Sequence, residues 1–93
     1  MIIAVLQVDL YLHGAASLKD KRTIIRSIKD RLSKKFNVSL AEVDFQDKWQ
    51  RARLGIVQVG SDYHYLEKNM NAIFKILDSN TSAEIVEHSL EFV

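Results

Sequence analysis

Ninety-three residues, 47% apolar and 27% charged, describe one globular domain spanning residues 1–93 with room for a modest core. The chain has no cysteine, which excludes disulfides, thiolate metal sites and cysteine nucleophiles and fits a reducing cytoplasm. Net charge is only +1 but unevenly spread: residues 19–35 hold Lys19, Lys21, Arg22, Arg26, Lys29, Arg31, Lys34 and Lys35 against Asp20 and Asp30, while residues 61–93 are mildly acidic.

The opening stretch "MIIAVLQVDLYL" alternates with period two. Ile2, Ala4, Leu6, Val8, Leu10 and Leu12 share one face; Ile3, Val5, Gln7, Asp9, Tyr11 and His13 share the other. It has no leading basic residues, and Gln7 and Asp9 interrupt it, so it predicts a long strand and neither a signal peptide nor a membrane span. Gly14-Ala15-Ala16 ends the strand, and Ser17 followed by Asp20 reads as a capping box with a short acid. Leu18, Ile25, Ile28, Leu32 and Phe36, with Ile24 at the edge, then form a helical apolar stripe that Asn37 suits as a terminator.

"NVSLAEVDF" predicts a second strand and "QDKWQR" a connection. "ARLGIVQVG" predicts a third strand with Ala52, Leu54 and Ile56 in phase. Val57 and Val59 fall out of phase, which calls for either a bulge or a strand apolar on both faces. Gly60-Ser61-Asp62 is a second stop-and-cap signal. A second helical stripe follows through Tyr63, Leu66, Met70, Ile73, Phe74 and Leu77, closed by Asp78-Ser79-Asn80. "SAEIVEHSLEFV" reads as a fourth strand.

This order, β-α-β-β-α-β, predicts an α+β, ferredoxin-like sandwich: a four-stranded antiparallel sheet with two helices on one face. The first strand should be central. The other sheet face should stay uncovered, with an apolar patch from Ile3, Val5, Val57 and Val59 that suggests a homodimer.

A fold shared by so many activities leaves function to the residues. A metal carrier on this scaffold needs paired cysteines. An RNA-recognition motif needs aromatics on its central strands, and "ARLGIVQVG" has none. His13, His64 and His88 fall on different elements without metal spacing. Asp9, Tyr11 and His13 share a strand face, but such alternation ordinarily marks polar residues on an open sheet, and no serine or threonine has a base at a convincing interval. The expectation is a protein that is not an enzyme and needs no cofactor or metal.

The basic helix is the feature left standing. At about 100° per residue, Lys19, Arg22, Arg26 and Lys29 fall on one flank of the apolar stripe. Lys34 and Lys35 complement the helix C-terminus, whereas Lys19, Lys21 and Arg22 oppose the dipole at its start by on the order of 1 kcal/mol if exposed. A bound anion would reverse that sign, and nucleic-acid phosphate is the commonest anion for a basic stripe. The competing reading is structural, with Asp44 and Asp47 reaching the helix start to neutralise Lys21 or Arg22. Trp49 is expected to pack against an end of the core, as large aromatics do. Exposed beside Arg51 and Arg53, it would instead offer a stacking surface.

"SLKDKR" and "FNVSLAEVDFQDKWQRARLG" closely resemble the YlxP-like family of small bacterial proteins, from the first strand to about residue 66 and more loosely beyond. Lys19, Lys21, Arg22, Asp44, Asp47, Trp49 and Arg51 match its motifs. The resemblance implies a ferredoxin-like fold and an uncharacterised biochemical function, with no established catalytic residues. It also implies a neighbourhood of genes for ribosome maturation and translation initiation, which favours RNA as the source of phosphate. The expected function is therefore that of a cytoplasmic RNA- or ribosome-associated protein. Its phosphate ligands would be Lys19, Lys21, Arg22, Arg26 and Lys29, extended by Arg51 and Arg53. The alternative is a homodimeric interaction module that uses the open sheet face and the basic pole.

Overall fold

The structure is a computed structural model describing residues 1–93. Its elements are β1 (Ile2–Tyr11), α1 (Leu18–Lys35), β2 (Ser39–Asp44), β3 (Arg51–Gly60), α2 (Tyr63–Asp78) and β4 (Glu84–Phe92). The strands form one antiparallel sheet in the order β2-β3-β1-β4, the ferredoxin-like arrangement.

Alternation in β1 selects its burial. Ala4, Leu6, Val8 and Leu10 point at the helices and are almost wholly buried. They lie beside Ala52, Leu54, Ile56 and Gln58 of β3 in a register without irregularity, so Val57 and Val59 simply line the opposite face. The strand is apolar on both sides there, and no bulge is involved. Leu66, Met70, Ile73 and Leu77 of α2 and Ile28 and Leu32 of α1 complete the core. Each such side chain contributes about 1.5–3 kcal/mol by leaving water.

Bulges occur on the two edge strands instead. Between Glu42 and Asp44 the β2–β3 register shifts by one residue, leaving Val43 extra. Without it Asp44 would pair with Ala52 and point inward; with it Asp44 stands opposite Arg53 on the open face. Val43 packs over Gly55, where an added Cβ would come within 3.2 Å of the valine Cγ1. A second shift sets Glu87 opposite Asp9 and Ile85 opposite Leu10, with Val86 extra.

The helix starts follow their sequence signals with one variation. Ser17 Oγ accepts from the Asp20 amide (3.1 Å), and Asp20 reaches back to the Ala16 amide (3.0 Å), one residue earlier than a standard capping box. Asp62 caps α2 by accepting from the His64 and Tyr65 amides. At its C-terminus α1 closes on Phe36, whose amide bonds Leu32 O, so Asn37 lies one residue past the cap. No helix is long and apolar enough to cross a membrane.

Candidate functional site

Three groups of charged residues were nominated by the sequence, and the fold separates them. On α1, Lys19, Arg22, Arg26, Lys29, Arg31, Lys34 and Lys35 are all exposed, and none takes part in an ion pair. Arg22, Arg26 and Lys29 border a shallow groove that also includes Ile25, Asp30 and Glu42, beside the β2 edge. Arg26 also borders a second groove, on the outer face of the helix with Arg31, Lys34 and Lys35. The two acids of α1 do not compensate them: Asp20 serves the cap and Asp30 forms no ion pair.

Lys21 departs from expectation. It is 1% exposed, the one buried cation of the helix, and so is withdrawn as a phosphate ligand. Its Nζ donates to Glu42 Oε2 (2.7 Å) and Phe45 O (2.8 Å), with Arg51 O (3.3 Å) and Gln46 O (3.4 Å) sharing its remaining proton. Its partner carboxylate is Glu42, neither Asp44 nor Asp47. The placement had a sequence signal: Lys21 stands four residues before Ile25 and seven before Ile28, on the meridian of the apolar stripe. Glu42 likewise shares the inward phase of Leu40.

Arg53 is also withdrawn, because three of its five N–H groups are committed to carboxylates. Its Nε and Nη2 donate to the two Asp9 oxygens at 2.6 and 3.0 Å, and its Nη1 donates to Asp44 at 3.2 Å. Asp9, expected on a solvated face, is 5% exposed. Hydrogen bonds from Arg53 hold its carboxyl below the usual carboxylate range, against the opposing effect of burial. The same bonds raise Arg53.

Arg51 is half-buried. Its guanidinium lies 4.8 Å from the Phe45 ring centroid, with that of Arg53 at 5.1 Å, and its Nε has no hydrogen-bond partner. Phe45 itself has a φ of 64°, in the left-handed region that β-carbon residues rarely occupy. This turn between β2 and β3 carries Trp49, which is 42% exposed and therefore not packed into the core end as expected. Trp49, Tyr11, Asp47, Lys48, Gln50 and Arg51 line one hollow.

The histidines are dispersed. His13 contacts Glu84 (2.9 Å) and the Tyr11 ring, His64 lies edge-on to Tyr63, and His88 packs against Phe74.

The chain matches, over residues 3–90, the family described as a protein of unknown function (DUF503), and it belongs to that family. Over 78 residues, 84% of this chain and 85% of the other, it is 36% identical to the uncharacterised protein YlxP of Bacillus subtilis (strain 168). The family match continues through the C-terminal third, where the motif likeness is looser.

Proposed function

We propose that this protein is a cytoplasmic, non-enzymatic RNA- or ribosome-associated protein that holds phosphates along the outer side of α1. The observation that carries the reading is the concentration of seven exposed cations on that one helix, none of them in an ion pair. Lys19 and Arg22 stand at the end of the helix where positive charge is unfavourable unless an anion is present. Lys19, Arg22, Arg26 and Lys29 are the ligands, and Arg31, Lys34 and Lys35 extend the field toward the far end. Contacts of this kind give affinity with a steep salt dependence and little base specificity. The family's gene neighbourhood favours RNA over DNA.

The test is fluorescence anisotropy of the labelled protein on a structured RNA between about 50 and 200 mM salt, where several phosphate contacts become visible. The triple variant Arg22→Glu, Arg26→Glu, Lys29→Glu should keep its circular dichroism and lose binding, because all three side chains are exposed. A folded variant that still binds would sink the reading. Absence of binding by the wild type, together with a dimeric solution mass, would favour the other reading. That reading uses the uncovered sheet face, where Val43 is 50% and Val59 58% exposed.

A further inference from the structure

The turn between β2 and β3 is held from three sides, more firmly than a connection of this length requires. Lys21 donates to carbonyls on both sides of Trp49, at Phe45 and Gln46 before it and Arg51 after it. The Lys48 amide bonds Phe45 O at 2.9 Å, closing the turn on itself. The Leu12 amide bonds Gln50 O at 2.8 Å, tying the next residue to the end of β1. A buried ammonium is an expensive way to fix a loop, since it must be taken out of water with its partner. Phe45 adds a strained backbone at the same turn.

What this rigid turn presents is the chain's only tryptophan, 42% exposed and in contact with no other aromatic ring. Around it stand Tyr11, Lys48 and Arg51. The clamp also fixes the position of the turn relative to the cationic row. Lys21, which reaches into the turn, belongs to the same first helical turn as Lys19 and Arg22. Asp47 lines the hollow as well. Lys48 and Arg51 in the same lining outnumber that carboxylate, so a nucleotide whose base lies on the indole meets net positive charge.

We infer that the β2–β3 turn is a base-stacking site, in which the Trp49 indole takes an unpaired nucleobase of an RNA whose phosphates lie on α1. The inference rests on the RNA reading above and narrows its substrate class to RNA with a single-stranded segment. A base pair in the interior of a duplex keeps both faces inside its stack and cannot lie on the indole. Stacking on a preorganised side chain is tolerant of base identity, as is phosphate binding, so the site selects strandedness and not sequence.

Because Trp49 is the only tryptophan, its emission reports directly on the site. The experiment titrates the protein with a 12-nucleotide oligouridylate and, separately, with a 12-base-pair RNA duplex. Anisotropy of labelled RNA and intrinsic fluorescence are read together. The expected result is preference for the single strand, quenching of Trp49 by it, and roughly a 10-fold or greater loss of its affinity in Trp49→Ala. Trp49→Phe should recover most of the loss, and duplex affinity should be unchanged in both variants. Salt-dependent binding without quenching, with Trp49→Ala equal to wild type, would overturn the stacking site and leave the phosphate reading standing. Absence of binding by either RNA at low salt would overturn both.

Discussion

Asp9 is a polar residue on the uncovered face of the sheet, yet almost no water reaches it. The bidentate bond from Arg53 balances its charge and allows its burial, although Glu87, opposite it in register, carries the same sign of charge. The guanidinium holds Asp9 ionised below the usual carboxylate range, so folding favours the charged form. The stability this contributes is fully present above the ordinary value of about 3.9 and is lost as pH falls through the depressed folded value. Asp9→Asn should therefore be less stable than wild type at neutral pH, and the gap should close on acidification below about pH 4. Urea midpoints measured across that range check this, and a gap unchanged at pH 2 would contradict the assignment.

At the scale of elements, the same bulge serves two ion pairs. One extra residue in β2 leaves Glu42 facing α1 and turns Asp44 outward to Arg53, so a single irregularity sorts two acids to opposite faces. The inward pair docks α1 against the β2 edge and the following turn. Lys21→Met would leave Glu42 without its cation and the turn carbonyls without a donor, at a cost on the order of 3 kcal/mol. A reduced urea midpoint with an unchanged slope is the expected reading. Adding Glu42→Leu should recover much of the loss, because removing both charges of a buried pair costs less than removing one. The elements themselves were legible in the chain: β1 alternates without exception on its buried face, and Ser17 and Asp62 announce the helix starts. The Lys21 clamp was not legible. Three of its four acceptors are main-chain carbonyls, which have no side-chain signature, and they lie 24 to 30 residues away. Trp49 lies in the turn that this clamp holds, and its exposure was not legible either. The bond of Arg53 to Asp44 depended on a bulge whose position the pattern of β2 does not reveal, and its bidentate bond to Asp9 on the β1–β3 register.

For the whole molecule, charge is segregated on top of a conventional core. The cationic row lies on the helix layer, whereas the ion-paired cluster and the exposed valines lie on the uncovered sheet face beneath. The two candidate surfaces are thus on opposite sides of one sheet, and a partner on one need not displace a partner on the other. The strand order also has a kinetic meaning. The strand made first, β1, sits between β3 and β4, which are made much later, and Ile3 and Val93 exchange both of their backbone hydrogen bonds. Large loops must close before the central strand gains either neighbour, so refolding should fall in milliseconds to seconds and not microseconds. The chain contains no proline, so stopped-flow refolding should show no phase of tens of seconds from prolyl isomerisation, and such a phase would contradict this account. On the ribosome, the apolar face of β1 emerges long before anything can cover it. A nascent chain can form α1 early, but its sheet cannot close until β4 has been added.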